Sequence, residues 1–359
     1  LSFHHHLRNG DYVLNMVCEE ILKRDIKNLH LAPSSIFPNN AILSKLIENK
    51  NVTNIDTNYL NGPVSKTIGE GKLDGLLIMN THGGRPRKIE SGELKIDVAF
   101  IACPAVDKEG NGYGGIGKSA CGSLGYAISD LKYAKKVVLV SDSIFDSLDK
   151  FDLDKKYVDL VLKVDSIGNQ EGILSGTTKI TKDPVGLKIA SMAAKLLNEL
   201  GLIKDGFSMQ TGAGGTSLAV ASYVKDIMIK NNVKGSFASG GITAYFVEMQ
   251  KMGLLDELYD VQCFDLAAVE SYNSNQASSN ESEKITLADI ADELAVNKCY
   301  LSTIFNEATG MKITDYMQKL KIDWAEILLQ STTLKVVDVA FLCGFEDASY
   351  FGKVYRKQK

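Results

Sequence analysis

The stretch DVAFIAC at residues 97–103 is a short and almost continuous apolar run. Comparable runs are KVVLVS at 136–141, YVDLVLKV at 157–164 and SFAS at 236–239, and helical apolar spacing occurs at 187–200 and 217–229. Apolar runs of this length are typical of buried strands, and helical segments alternating with them favour a parallel sheet with helices on its faces. The sequence therefore predicts an α/β fold.

Composition narrows the classes of protein that this chain can be. The 359 residues carry a formal net charge of -4, which argues against a nucleic-acid surface over the whole chain but allows a local basic patch. No apolar run has the length of a membrane helix, and no basic-then-apolar leader is present, so we expect no membrane association. The six cysteines lack CxxC spacing, which favours reduced thiols and a cytoplasmic location. Because Leu1 lies inside an expected strand, we also expect residues upstream.

A polar segment, SYNSNQASSNESEK at residues 271–284, separates two regions with different apolar patterns. Beyond it only helical spacing occurs, with Thr286 as a candidate N-cap and a longer helix at about residues 313–329. An internal repeat relates LADIADELAVNKCYLSTIF to VVDVAFLCGFEDASYFGKVY. We predict a first domain at 1–195, an incomplete second domain at 196–276, a linker at 277–284 and an all-α domain at 285–359.

Glycine-rich turns are the first candidates for ligand binding. The sequence NGYGGIGKS satisfies a phosphate-loop pattern through Gly112, Gly117, Lys118 and Ser119, but Pro104 and a polar turn separate it from the preceding strand, so a flexible glycine turn is the favoured alternative. Glycines at two other expected strand ends permit close approach of a ligand to backbone N–H groups that could stabilise an oxyanion. These are Gly212, Gly214 and Gly215, with Thr216 and Ser217 as helix caps, and Gly240 with Gly241.

Three consecutive histidines, His4, His5 and His6, open the chain. They are compatible with a metal site, a catalytic group or a purification tag. Side chains alternate along a strand, so His4 and His6 would share one face and His5 the other. Three adjacent residues of a strand cannot all reach one metal ion, and no Cys or acidic residue is spaced to complete a zinc site, so we expect no metal. A second basic stretch, NTHGGRP with Arg85, has cationic groups beside a glycine turn, which suit an anionic ligand, but an exposed basic loop is the favoured interpretation.

Residues 1–276 closely resemble the citrate lyase α subunit, the citrate CoA-transferase component. The resemblance lies in SFHHHLRNGDYVLNMV, SGELKIDVAFIACPAVDKEGNGYGG, CGSLGYAISD, LVLKVDSIG, GFSMQTGAGGTSLAV and GGITAYFVEMQKMGLLDELYDVQCFD. It implies two CoA-transferase-like parallel-sheet domains, the second truncated here. The turn at Asp107, Gly110 and Asn111 looks like the D-x-x-G-N motif of the wider superfamily.

The resemblance also implies a reaction: an acetyl thioester is exchanged for citrate, giving a citryl thioester and acetate. The donor would be acetyl-CoA or the phosphopantetheine-derived group of an acyl carrier, with no tightly bound cofactor. Citrate and the acyl carrier (γ) and lyase (β) subunits would be partners. The glutamate nucleophile of related transferases would fall near Gly240 or Gly241, so direct exchange is implied, with these glycines as the catalytic positions. The substrate and thioester would be bound by His4, His5, His6, Arg8, Asn9, Asn111, Gly212, Gly214 and Gly215.

Residues 282–359 resemble the AraC-type DNA-binding module, with two helix-turn-helix units. The block at Gly344, Phe345, Asp347, Ser349, Tyr350 and Phe351 carries much of the likeness. One reading helix would span about 298–306 and the other would start near residue 347, each entering the major groove of double-stranded DNA. The resemblance implies DNA contacts from Lys298, Tyr300, Thr303, Asn306, Ser349, Lys353, Arg356 and Lys357.

Two interpretations of the combination remain. The chain is a citrate CoA-transferase, or it is a transcriptional regulator of the AraC type in which the α-subunit-like part senses a ligand or is inactive. A joined or truncated gene product with little activity is a further alternative.

Overall fold

Seven parallel strands form the main sheet of the protein, which we describe from a computed structural model. The structure describes residues 1–4, 6–173, 179–212, 214–274, 297–331, 335–343, 345 and 347–358. Two units separate along the chain, Leu1–Glu281 and Ser282–Lys359. The strands of the first unit are β1 (Ser2–Phe3), β2 (Leu29–Pro33), β3 (Val52–Thr57), β4 (Leu77–Met79), β5 (Val98–Ala102), β6 (Ala105–Asp107), β7 (Gly112–Tyr113), β8 (Lys136–Ser141), β9 (Ile144–Phe145), β10 (Leu160–Lys163), β11 (Met209–Gln210), β12 (Gly235–Ile242) and β13 (Leu255–Cys263).

Helices connect these strands. They are α1 (Val13–Lys23), α2 (Ile42–Glu48), α3 (Pro63–Gly69), α4 (Gly84–Glu90), α5 (Ile128–Tyr133), α6 (Pro184–Glu199), α7 (Gly215–Asn231), α8 (Ala244–Lys251) and α9 (Leu266–Ser274). Short 3-10 helices occur at Arg8–Gly10, Pro38–Asn40, Gly125–Ala127, Lys155–Tyr157 and Gln170–Ile173. Helical crossovers between parallel strands place the ends of several strands at the same edge of a sheet.

The main sheet has the strand order β10-β8-β5-β1-β2-β3-β4. The first strand, β1, therefore lies in the middle, parallel to β2 on one side and to β5 on the other. Leu31, Ile55, Ile101 and Leu139 on these strands are fully buried. Burial on both faces explains why these strands read as continuous apolar runs. The segment that follows β1 is consequently held at the centre of the sheet's edge.

Two smaller sheets complete the first unit. Strands β11, β12 and β13 form a parallel sheet, with β12 in the centre. Strands β7, β6 and β9 form a mixed sheet, in which β6 is antiparallel to β7 and parallel to β9. The register between β12 and β13 shifts between Gly240 and Gly241, which is a β-bulge. A bulge re-aims the backbone locally and is often found beside functional sites.

The second unit is helical in its described part. It contains α10 (Lys298–Thr309), α11 (Ile313–Ser331), α12 (Val336–Leu342) and α13 (Ala348–Gln358). Ile322, Val339, Phe345 and Phe351 are buried together in one core. This core joins the long helix α11 to the helix pair α12 and α13.

The α/β fold predicted from the sequence is confirmed, together with a helical C-terminal unit. The runs at 97–103 and 136–141 correspond to β5 and β8, and the predicted helix at 313–329 corresponds to α11. The segment at 157–164 is a strand only from Leu160, because a 3-10 helix occupies Lys155–Tyr157. The domain boundaries at 195 and 276 stay predictions. His5, the linker at 277–284, the segment 285–296 with Thr286, and Gly344 lie outside the described residues.

Candidate functional site

His4 and His6 lie just beyond β1, which ends at Phe3. The alternation expected along a strand does not apply to them, because neither residue belongs to the strand. His4 and His6 do lie close together, with ring centroids 6.0 Å apart and stacked planes, and both side chains are buried. The chain then enters the 3-10 helix at Arg8–Gly10. The turn places His4, His6 and Arg8 at the edge of the main sheet.

His4 contacts a buried ionic network. Its Nε2 lies 2.9 Å from Oδ2 of Asp130 on α5, and neither side chain is exposed. Arg85 on α4 binds the same carboxylate through both terminal nitrogens, at 2.8 and 2.9 Å. Ser2 Oγ donates a hydrogen bond to Asp130 Oδ1. Arg85 is fully buried, so its interpretation as part of an exposed loop is wrong.

The network determines the charges around His4. Burial opposes ionisation of Asp130, but the cationic Arg85 and the contact with His4 hold the pKa of this carboxyl well below its usual range. Burial lowers the pKa of His4 despite the neighbouring carboxylate. His4 is therefore neutral at neutral pH, so that it can accept a hydrogen bond at one ring nitrogen.

Arg8 provides the positive charge instead. Its guanidinium carbon lies 4.8 Å from the ring centroid of Phe264 and 5.7 Å from that of Phe37. The residue is 9% exposed, and its backbone has a positive φ of 54°, which is uncommon for a non-glycine residue. Burial lowers its pKa, but arginine remains charged at physiological pH. Among the described residues, no carboxylate forms an ion pair with Arg8, so the structure presents a desolvated cation able to bind an anion.

The bulge of the second sheet lies against the same turn. Gln262 on β13 donates a hydrogen bond to the backbone oxygen of His6, at 3.3 Å. Gln262 is paired with Gly241 in the sheet register, and Phe264 lies beside Gly241 as well as below Arg8. The structure thus brings the predicted residues Gly240 and Gly241 next to His6 and Arg8.

The glycine pair fits this place for steric reasons. Gly240 has a φ of +99°, and a Cβ there would lie 2.6 Å from the side-chain nitrogen of Gln210. A Cβ on Gly241 would lie 1.9 Å from the Phe264 ring. Neither residue can contribute a nucleophilic side chain, and both leave the backbone open to close approach.

The third glycine group begins helix α7. Strand β11 ends at Gln210, beside Ser239 and Gly240 of β12, and Gly212 lies two residues further along the chain. Gly214 is the N-cap of α7 and Gly215 is its first residue, with no side-chain hydrogen bond at the cap. Thr216 and Ser217 lie within the first turn, so their interpretation as caps is wrong. The first N–H groups of α7 remain available as donors at the strand end.

The remaining predicted contacts of the first unit have local hydrogen-bonding roles. Asp107 Oδ1 accepts hydrogen bonds from three backbone N–H groups of the turn, and Asn111 donates its amide to Asp107 Oδ2 at 2.9 Å. The oxygen of Asn111 accepts from Lys155 N. Asn9 Oδ1 accepts from Asn39 N at 3.3 Å. Thioester binding by Asn111 and Asn9 stays a prediction.

The phosphate-loop pattern does not have the geometry of a phosphate loop. Gly112 belongs to strand β7, and Gly117–Ser119 is followed by turns instead of a helix. Ser119 Oγ donates to Asp142 Oδ2 at 2.6 Å, inside the protein. The glycine-turn alternative is therefore correct.

The second unit presents most of the predicted DNA-contacting residues to solvent. Tyr300, Thr303 and Asn306 are exposed on α10, and Ser349, Lys353 and Arg356 are exposed on α13. Gln318 on α11 donates a hydrogen bond to Tyr350 Oη at 2.8 Å, which fixes the start of α13 against the long helix. The side chains of Lys298 and Lys357 lie outside the description.

Comparison with known proteins identifies the first unit. A profile of the citrate lyase alpha subunit family matches residues 1–301. The chain belongs to the citrate lyase alpha subunit family. A helix-turn-helix domain of the AraC type follows it, at residues 290–359. The sequence-based resemblance to both families is confirmed.

Individual relatives of the citrate lyase alpha family support this assignment. The citrate lyase alpha chain of Escherichia coli K12 is 40% identical over 315 residues, or 85% of this chain and 62% of the relative. The Haemophilus influenzae protein is 39% identical over the same length, 85% of this chain and 63% of the relative. The chain thus spans about 60% of the length of these relatives. At the C-terminus, the transcriptional activator RhaR of Mannheimia succiniciproducens is 35% identical over 95 residues, 26% of this chain and 33% of that protein.

Solved structures show the same architecture. The putative alpha subunit of citrate lyase from Streptococcus mutans, described in complex with citrate, is 45% identical with a TM-score of 0.74. The match covers 76% of this chain and 54% of that one. A Pseudomonas malonate decarboxylase, at 17% identity and a TM-score of 0.55 over 74% of this chain and 48% of that one, shares the fold.

Several residues of this site were not found from the sequence. Ser2, Arg85 and Asp130 are distant in sequence, and only the sheet topology brings them to His4. The segment CGSLGYAISD, which ends at Asp130, resembles the family but gives no sign of a buried charge. Within the described residues, no three His, Cys, Asp or Glu side chains form a metal-binding group, and no helix is long and apolar enough to cross a membrane.

Proposed function

We propose that the first unit binds citrate and exchanges the acetyl group of an acetyl thioester for citrate. The observation that carries this proposal is Arg8, a buried guanidinium with no carboxylate partner among the described residues, next to Gly240 and Gly241. A bidentate guanidinium suits a carboxylate of citrate. The citrate named with the Streptococcus mutans relative supports this choice of ligand.

The exchange requires no side-chain nucleophile. A citrate carboxylate oxygen attacks the acetyl carbonyl, and the C–S bond breaks to give an acetyl–citryl anhydride and a thiolate. The thiolate then attacks the citryl carbonyl, and acetate leaves with the bridging oxygen, so no proton is gained or lost. The protein contributes positioning and backbone donors for the oxyanions, at Gly240, Gly241 and the start of α7. Gly212, Gly214 and Gly215 supply the last of these.

The proposed thioester is acetyl-CoA or the phosphopantetheine-derived group of an acyl carrier subunit. The other proposed partner is the lyase subunit, which would cleave the citryl product, in the cytoplasm. Family membership supports these proposals. The chain itself spans about 60% of the length of its relatives.

A mass-spectrometric assay tests the proposal. Purified full-length chain is incubated with acetyl-CoA and citrate, and citryl-CoA is measured against a reaction without protein. We expect citryl-CoA and acetate in equal amounts. Absence of product, in a sample with a cooperative thermal unfolding transition and no calorimetric citrate binding, would refute the proposal.

A second candidate function rests on the C-terminal unit. Ser349, Lys353 and Arg356 are exposed along α13, the helix that corresponds to a reading helix. We propose that this unit binds double-stranded DNA and that the citrate lyase alpha-type unit acts as its ligand sensor. A fluorescence anisotropy titration on randomised duplex DNA, with and without citrate, tests this. Binding that is unaffected by citrate would contradict the sensor and leave the DNA-binding domain in place.

A further inference from the structure

The carboxylate of Asp130 has its full complement of hydrogen-bond donors. Oδ1 accepts hydrogen bonds from Ser2 Oγ and one nitrogen of Arg85, Oδ2 accepts one from the other nitrogen of Arg85, and Nε2 of His4 lies 2.9 Å from Oδ2. An ionised carboxylate accepts about four hydrogen bonds and donates none. Asp130 is therefore fixed in position, and its charge is balanced by Arg85.

This arrangement fixes the tautomer of His4. Since Asp130 only accepts hydrogen bonds, the proton of the neutral imidazole lies on Nε2, and Nδ1 carries a lone pair. Nδ1 is buried and has no hydrogen-bond partner among the described residues. A buried acceptor without a donor is costly, and such atoms in native proteins call for a ligand or another explanation.

The chemistry of citrate limits which of its groups can donate a hydrogen bond to Nδ1 of His4. Its three carboxylates are ionised near neutral pH and only accept hydrogen bonds, so its tertiary hydroxyl is its one donor. Arg8, in the same turn, suits a carboxylate. We propose that His4 Nδ1 accepts the hydrogen bond of the citrate hydroxyl, and that Asp130 and Arg85 are positioning residues that keep His4 in this acceptor form. This inference rests on the citrate binding proposed above.

Tyr126 packs between His4 and the exposed His82. Its ring lies edge-on to His4 at 6.3 Å and edge-on to the exposed His82 at 6.0 Å. Its hydroxyl donates to the backbone oxygen of His82 at 2.6 Å and accepts from Asn58.

The test compares citrate with propane-1,2,3-tricarboxylate, which has the same carboxylates and no hydroxyl. Affinities of the full-length chain for both acids are measured by isothermal titration calorimetry. We expect the chain to prefer citrate at least tenfold. His4→Phe should reduce the preference to less than threefold. His30→Phe is the matched control, because His30 pairs with Asp56 on the neighbouring strands and lies outside the turn; its preference should be unchanged.

Asp130→Asn tests the positioning role. An amide can donate to Nε2 of His4, which would move the histidine proton to Nδ1 and convert it from acceptor to donor. The preference for citrate should then be lost while binding of the tricarboxylate persists. If this buried variant fails to fold, ¹⁵N-histidine NMR of the wild-type chain decides the same point, since it reports which ring nitrogen carries the proton before and after citrate is added.

The outcomes separate this inference from the function on which it rests. Equal affinity for the two acids, a preference unchanged by His4→Phe, or a proton on Nδ1 overturns the inference and leaves citrate binding intact. If His4→Phe keeps the preference for citrate over the tricarboxylate but binds acetyl-CoA more weakly, Nδ1 accepts a hydrogen bond from an amide of the thioester arm. That result also overturns the inference. Failure of the folded chain to bind either acid overturns the proposed function as well.

Discussion

Arg8 and Phe264 join the main sheet to the β11-β12-β13 sheet at the candidate site. The guanidinium carbon of Arg8 lies 4.8 Å from the centroid of the Phe264 ring. Arg8 follows the central strand of the main sheet, and Phe264 follows β13 of the smaller sheet. A desolvated cation over an aromatic ring is stabilised by about 2 kcal/mol, so the ring holds the charge without neutralising it. Arg8 therefore retains its capacity to bind a carboxylate.

Substitution of Arg8 should weaken citrate binding in two steps. Arg8→Lys keeps the charge and loses the planar fork, and we expect about a tenfold loss of affinity; Arg8→Met loses both, and we expect about a hundredfold loss. Calorimetric titration with citrate measures both. Arg24→Met is the control, because Arg24 pairs with Glu20 on the surface of α1. Citrate affinity that is equal in all four proteins would contradict a role for Arg8.

Gly241→Ala should destabilise the first unit. The new Cβ would overlap the Phe264 ring, and overpacking of this kind costs about 1–3 kcal/mol. Gly69→Ala is the matched control, since no atom lies within 4 Å of its Cβ position and its φ is not positive. Urea unfolding of both variants measures the difference. Equal transition midpoints would show that the ring at Gly241 moves aside at no cost.

The local sequence pattern predicted those strands in which most residues are buried. The strands at 98–102 and 136–141 are buried on both faces, so their apolar runs are unambiguous. The site was harder to predict because it depends on residues far apart in sequence. Asp130 and Ser2 are separated by 128 positions, and nothing near Asp130 indicates a buried ion pair.

Arg85 shows the same difficulty for a charged residue. Its segment NTHGGRP combines basic residues with a glycine turn, which made an exposed loop the favoured interpretation. The contact that buries Arg85 is its bidentate bond to Asp130, and a buried guanidinium is tolerated only when paired in this way. Sequence spacing carries no signal for such a pair. Glycine positions were more informative, since Gly240 and Gly241 coincide with a bulge.

The contribution of two buried carboxyl groups to the stability of the first unit should fall as pH rises through about 4 to 7. Burial raises the pKa of Asp152 to about 6 and that of Asp260 to about 7, although Tyr272 and Cys263 donate hydrogen bonds to them. In the unfolded chain both titrate near 4. The folded state therefore binds more protons in this window, and its stability decreases as they are lost.

Asp152→Asn should remove part of this pH dependence. We expect the loss in unfolding free energy between pH 5 and pH 7.5 to be smaller than in the wild type by about 1–2 kcal/mol. Urea unfolding at the two pH values measures it. Asp159→Asn is the control, because Asp159 pairs with Lys136 at the surface and its pKa is lowered, so it stays ionised throughout the window. Parallel pH profiles for wild type and Asp152→Asn would contradict the prediction.

Helix α6 has an exposed apolar face that should tolerate charge. Val185, Ile189, Met192, Leu196 and Leu200 are all more than half exposed and follow helical spacing, while Ala190 and Ala194 are buried on the other side. Met192→Lys should change the unfolding free energy by less than about 0.5 kcal/mol. It should also reduce self-association, because contiguous exposed apolar surface promotes association.

Urea unfolding measures the change in unfolding free energy, and sedimentation velocity measures the change in self-association. Ala190→Lys, which would bury a charge on the same helix, should cost more than about 2 kcal/mol; equal stability of the two variants would mean that Met192 is covered in solution.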